Sequence, residues 1–143
     1  MGFTFHLDVV SAEAEIFAGP AEMLFVPTVA GELGILAHHA PLLAELRPGE
    51  LRVRDREGRQ RAFFVGGGLL EVQPARVTVL ADTVERAEDI DEAAARSARE
   101  RAEEIMRGGA PPMDLAAARA QLDEALARLR VVENMRQLSH GGY

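Results

Sequence analysis

From Phe3 to Val9 the chain alternates strictly, with Phe3, Phe5, Leu7 and Val9 apolar and Thr4, His6 and Asp8 polar. Successive strand side chains point to opposite faces, so this pattern predicts a half-buried strand. Further apolar bursts lie at Met23 to Val26, Leu33 to Leu36, Leu42 to Leu46, Leu51 to Arg54, Ala62 to Val65, Leu69 to Val72 and Val77 to Leu80. Between them stand turn residues: Gly19-Pro20, Pro27, Gly31, Pro41, Pro48-Gly49, Glu57-Gly58, Gly66-Gly67-Gly68 and Pro74. Seven or eight short strands spaced at about 8 to 12 residues, with no helical period among them, predict an antiparallel β-sandwich. Two hairpins are legible. One turns at Arg56-Glu57-Gly58 into Arg61 to Val65, the other at Gln73-Pro74-Ala75 into Val77 to Leu80.

After Asp82 the composition shifts to Ala, Glu and Arg. Asp89 with Glu92 reads as a capping box, opening a helix from about Ile90 to Arg107 whose small face is Ala94, Ala98, Ala102 and Ile105. Gly108-Gly109 stops that helix and Pro111-Pro112 keeps it from resuming. From Asp114 a second stripe runs through Leu115, Ala118, Leu122, Ala125, Leu126, Leu129 and Val132. The expected fold class is α+β: an antiparallel β-sandwich over residues 1–85, then an antiparallel two-helix hairpin over 86–143. A lone helical hairpin is marginal, so it must dock on the sandwich or on another protein.

Composition narrows the chemistry. No apolar run is long enough to span a bilayer and no basic-apolar leader opens the chain, so neither membrane insertion nor secretion is expected. There is no Cys and all 16 basic residues are Arg, which excludes thiolate chemistry, cysteine-held metals, Schiff bases and a phosphate-loop lysine. Three serines, none in a G-x-S-x-G elbow, leave little for covalent catalysis. The net charge is −7, with 7 Arg against 12 acids in residues 1–85 and 9 against 11 beyond, so no basic face for nucleic acid is expected. Gly66-Gly67-Gly68 lacks a following GK[ST] and reads as a turn. His38-His39 lacks the dense ligand set of a metal site. Asp8, Glu32 and Asp82 cannot be paired as acid and base from sequence alone, and Asp8 and Asp82 read as strand-end residues. Arg119, Arg128, Arg130 and Arg136 read as a solvated helix face.

Several of these segments, in this order, resemble the epsilon subunit of the F-type ATP synthase. They are Phe5-His6-Leu7-Asp8-Val9-Val10-Ser11, Phe17-Ala18-Gly19, Gly31-Glu32-Leu33-Gly34-Ile35-Leu36, His39-Ala40-Pro41-Leu42-Leu43, Gly67-Gly68-Leu69-Leu70-Glu71-Val72, Val77-Thr78-Val79-Leu80-Ala81-Asp82 and Leu129-Arg130-Val131-Val132-Glu133. The resemblance implies a noncatalytic central-stalk rotor subunit, without cofactor or metal, peripheral on the cytoplasmic face of the bacterial plasma membrane. Implied partners are the γ subunit, the c-ring through Glu32, His38 and His39, and the α and β subunits through the C-terminal helices. Arg119, Arg128, Arg130 and Arg136 would meet an acidic stretch of β when the hairpin extends and inhibits ATP hydrolysis.

The chain departs from the family pattern in three places. Ala37-His38-His39 replaces a usual Pro-Gly-His. Ala94 stands where ATP-binding members carry arginine, and Glu124 lies one turn before Arg128. A triphosphate would lose a charge-assisted contact of about 1.5 to 3 kcal/mol and meet a repelling carboxylate. ATP binding is therefore expected to be weak or absent, with Glu85, Asp91, Arg101 and Arg128 as the residual candidates. From a different class, a sandwich adaptor or small-ligand module with a helical oligomerisation tail is the alternative, and a metal or glycoside enzyme a third.

Overall fold

The computed structural model describes residues 2–140. Nine strands form the N-terminal part: β1 (Phe5–Ser11), β2 (Glu15–Thr28), β3 (Gly31–Leu36), β4 (Leu42–Leu46), β5 (Gly49–Asp55), β6 (Gln60–Val65), β7 (Gly68–Val72), β8 (Arg76–Ala81) and β9 (Val84–Arg86). A 3-10 turn (Ala87–Asp89) leads into α1 (Glu92–Arg107) and α2 (Pro112–His140).

The strand order is β1-β8-β7-β4-β2-β5-β6-β9, with β3 on β2 and a further β1–β2 pairing that closes the sandwich. Long β2 serves both layers: its first half pairs with β1, its second with β3 and β5, and Thr28 reaches Leu46 of β4. Alternation decides the core: Leu7 and Val9, Leu51 and Val53, Leu70 and Val72, Val77 and Val79 all turn inward and are buried. Both expected hairpins form, β5 with β6 and β7 with β8. At Gly68 (φ 128°) a Cβ would stand 2.1 Å from the Leu80 carbonyl oxygen, so glycine is required where β7 crosses β8.

Several expectations are corrected. Gly19-Pro20 and Pro27 are not separators but lie inside β2. Pro20 faces His6 in the β1–β2 ladder, and the strand bulges between Ala21 and Met23 to change partners. There are nine strands rather than seven or eight, because β9 adds an edge to β6 through residues that carry no apolar burst. The sandwich is not wholly antiparallel: β1 runs parallel to β8. Asp8 is mid-strand rather than at a strand end, taking Arg76 Nη1 at 3.1 Å and His6 Nε2 at 2.9 Å.

The helices form an antiparallel hairpin, as shown by Arg136 near the end of α2 pairing with Glu92 at the start of α1. The N-cap is Asp91, whose carboxylate accepts from the Ala94 amide at 3.0 Å, rather than Asp89, which the 3-10 turn has already used. Burial on α1 falls on Ala95 and Ala102, with Ala94 and Ile105 exposed. Ala102 of the expected stripe is thus packed, but Ala95 replaces Ala94 beside it, so the buried face is turned by about one residue from the one read in the sequence. Pro112 begins α2 instead of barring it, since proline lacks only an N–H that the first turn leaves free.

Candidate functional site

The contact between α2 and the sandwich is the part of the molecule where charge and burial coincide. In β6, Phe63 and Val65 point into the sandwich core while Phe64 points outward and is fully buried. Ala127 and Val131 of α2 and Ala87 of the 3-10 turn cover it. This small second core is separate from that of the sandwich. Helix α2 thus has two packed faces: Ala118, Ala125 and Val132, from the stripe read in the sequence, are buried, and Ala127 and Val131 lie on Phe64. Leu126, expected in that stripe, is 40% exposed.

Polar links frame the apolar contact. Arg128 Nε donates to Glu85 Oε1 at 2.5 Å, and its guanidinium lies 4.3 Å from the Phe64 ring centroid. Three residues chosen far apart in the sequence, Glu85, Phe64 and Arg128, therefore make one cluster. Asn134 Nδ2 donates to Glu50 Oε1 at 3.0 Å. Burial pushes the Glu50 carboxyl above its ordinary value, opposed by the Asn134 hydrogen bond and by Arg52 and Arg130, while Glu32 adds to the rise. At the far side of the hairpin, the hydrogen bond from Arg136 holds the Glu92 carboxyl below its ordinary value, and Arg96 Nη2 lies 2.5 Å from the same carboxylate.

The residual ATP-site candidates are not assembled for a phosphate. Arg128 is taken by Glu85, Asp91 is spent on the α1 cap, and Arg101 is exposed without an ion pair among the described residues. The carboxylate of Glu124 stands beside Gly66 and Thr83 rather than in the hairpin seam. Of the helix arginines, Arg128 and Arg136 are held within the chain, whereas Arg119 and Arg130 are exposed without ion pairs among the described residues.

The ring-contact candidates separate. Glu32 lies at the start of β3, an exposed strand residue rather than a loop tip, with both oxygens 3.2 Å from Arg52 Nη2. His38 and His39 follow the other end of that strand. His38 (φ 67°) packs edge-on against Phe3 at 5.5 Å, and its amide donates to the Pro74 carbonyl. His39 Nδ1 lies 2.8 Å from the Ala40 carbonyl oxygen. The length of β3, about 3.3 Å per residue, holds Glu32 and the histidines apart, so they form no single cluster. Among the described residues no group of His, Asp and Glu is arranged to hold a metal.

Sequence reasoning missed Phe64, Glu50, Arg52 and Asn134. The signal for Phe64 was present: Ala62-Phe63-Phe64-Val65 is an unbroken apolar run, the mark of a strand covered on both faces. Glu50 and Asn134 are 84 positions apart, and no local pattern joins them.

A closed sheet sandwich with its own core, carrying a helical hairpin held by a small second core and a few ion pairs, defines a two-part protein of strand sandwich and docked helical hairpin. Comparison with known proteins is specific. Residues 4–87 match the family model for the ATP synthase Delta/Epsilon chain beta-sandwich domain, and residues 88–133 that for its long alpha-helix domain. The ATP synthase epsilon chain of Nitrosococcus oceani is 52% identical over 137 residues, covering 96% of this chain and 98% of the relative. That of Alkalilimnicola ehrlichii is 51% identical over 134 residues, 94% and 96% respectively. The fold also matches a chain in the Euglena gracilis mitochondrial ATP synthase OSCP/F1/c-ring structure, with TM-score 0.71, 22% identity and coverage of 96% of this chain and 82% of that one. A chain of the Tetrahymena thermophila mitochondrial ATP synthase central stalk and c-ring gives 0.62, 13%, 92% and 98%. The chain belongs to the family of ATP synthase epsilon chains.

Proposed function

We propose that this protein is a noncatalytic rotor subunit of the central stalk of an F-type ATP synthase, peripheral on the cytoplasmic face of a bacterial plasma membrane. Residues 1–85 bind the γ subunit and the c-ring, with Glu32, His38 and His39 toward the ring, and pass proton-driven rotation to the catalytic head. Residues 86–143 are the regulatory hairpin, which in its extended state enters among the α and β subunits and inhibits ATP hydrolysis. Family membership supports the rotor role. The observation that carries the regulatory part is the smallness of the contact between α2 and the sandwich side: Phe64 meets Ala127, Val131 and the partly buried Met135, with links from Arg128 and Asn134, along a 29-residue helix whose other face packs on α1. Such an element can exist in two packings of similar free energy. Arg128 and Arg136 each have a carboxylate partner in the docked state, and an acidic surface on the catalytic head would replace Glu85 and Glu92 in the extended one. Deletion of residues 109–143 in the assembled complex is expected to raise ATP hydrolysis severalfold while γ and the c-ring still copurify with the sandwich. Unchanged hydrolysis in a complex of normal composition would count against the inhibitory hairpin.

A further inference from the structure

Between β3 and α2 the polar side chains form one connected path. Glu50 and Arg52 are two apart on β5 and share its outer face. Arg52 Nη2 donates to both oxygens of Glu32, and its guanidinium lies 4.5 Å from the Phe25 ring centroid. On the other side Arg52 Nε stops 3.6 Å short of Glu50 Oε1 and, although buried, has no acceptor within hydrogen-bonding distance. Glu50, with its side chain only 10% exposed, accepts from Asn134 of α2 instead. Beside them an open cavity of about 510 Å³, lined in part by Glu50, Arg52, Arg61, Glu88 and Asn134, leaves the guanidinium room to shift. One arginine thus stands between two carboxylates and satisfies only the exposed one.

We propose that Arg52 couples Glu32 to the grip of the sandwich on α2: a partner that takes Glu32 with a cation of its own frees Arg52 to close on Glu50, and α2 is then held more tightly. The groups facing Glu50 are Arg52 on its own strand, Glu32 from β3, Arg61 from β6, Glu88 from the 3-10 turn, and Arg130 with Asn134 from α2. Glu32 opposes the charge on Glu50, whereas Arg52 and Arg130 favour it. Neutralising Glu32 therefore removes a repulsion and turns a 3.6 Å approach into a charge-assisted hydrogen bond at Glu50, the largely buried carboxylate that accepts from Asn134 of α2. The coupling is reciprocal: lifting α2 hydrates Glu50, lowers its need for Arg52 and leaves that arginine to Glu32. Its regulatory meaning rests on the proposed function, in which the surface around Glu32 meets the ring and α2 leaves the sandwich. Contact with the ring would then bias the hairpin toward its docked state.

The coupling belongs to the isolated chain and is tested there, by hydrogen exchange of the α2 backbone amides. Glu32→Gln imitates neutralisation and is expected to slow exchange across residues 124–138 about fivefold. In a Glu50→Gln background the same change is expected to have no effect, because no buried charge remains to be compensated. Arg52→Gln, checked for folding by circular dichroism, is expected to abolish the response, and Arg52→Met serves if the first variant does not fold. Unchanged or faster exchange in Glu32→Gln overturns the proposal, as does equal slowing with and without the Glu50 carboxylate. With no ring or catalytic head present, that failure leaves the rotor reading standing, which the hydrolysis measurement on the deleted complex decides separately.

Discussion

Glu50 and Glu92 are carboxylates on opposite sides of α2, and their environments push them in opposite directions. Burial raises the Glu50 carboxyl above 4.5, so a proton binds it more tightly with α2 docked than with α2 lifted and the group in water. Its contribution to docking is fully present below that ordinary value and is lost as pH rises through the raised one. The hydrogen bond from Arg136 lowers Glu92 from the same 4.5, so its contribution to the hairpin is present above that value and is lost as pH falls through the lowered one. The two windows lie on either side of the ordinary carboxylate range. Measured from pH 4.5 upward and corrected for the intrinsic base-catalysed rate, the protection of the α2 amides near Asn134 is therefore expected to fall as Glu50 ionises, and Glu50→Gln is expected to flatten that fall. A profile equally steep in the variant would assign the pH dependence to another group.

At the scale of elements, the strands differ in how plainly the sequence declared them. β4 is legible to the residue, Leu42–Leu46, because Pro41 and Pro48-Gly49 bound a short apolar burst. The first half of β2 was hidden because Gly19-Pro20 reads locally as a stop, and only pairing with β1 shows that the strand continues. The second face of α2 was hidden for another reason. Ala127 and Val131 lie among alanines and leucines that already satisfied one stripe, so a helix gripped on two sides showed no sharp period. Of the candidate site, the sequence carried Glu85 and Arg128 through the family resemblance, whereas Glu50, Arg52 and Asn134 meet only through the register of β5 against α2. Because Phe64 turns away from the sandwich core, Phe64→Ala is expected to cost about 3 to 5 kcal/mol concentrated in the docking of α2. Limited proteolysis should then cleave α2 quickly while the strand signal in circular dichroism persists. Loss of both together would show that the two cores do not act independently.

For the whole molecule, the docked arrangement decides which substitutions are informative. Reversing Arg128 disturbs both the contact to Glu85 and any contact made by an extended helix, so its effect on hydrolysis mixes the two states. Arg119 is exposed and without an ion pair among the described residues, and exposed charges contribute little to stability. Arg119→Glu is therefore expected to leave the melting temperature of the isolated chain within about 1 °C while raising hydrolysis by the assembled complex, provided the extended helix meets an acidic surface there. Raised salt should produce the same release, because exposed pairs are screened over about 8 to 10 Å at ordinary ionic strength.

The parallel pairing of β1 with β8 bears on how the chain acquires its shape during synthesis. Asp8 and Arg76, which join those strands, are 68 positions apart. Local pairs such as β5 with β6 can form as soon as their residues leave the ribosome, but β1 must wait, with one edge open, until β8 has emerged. Closure of the sandwich is thus a late event in translation, and it comes before α2 exists to cover Phe64. Until β8 emerges a nascent chain presents an unpaired β1 edge, and until α2 emerges it presents the Phe64 ring as well, which makes termination before Arg76 a more aggregation-prone truncation than termination after Ala81, where β1 is paired and the ring alone stays bare.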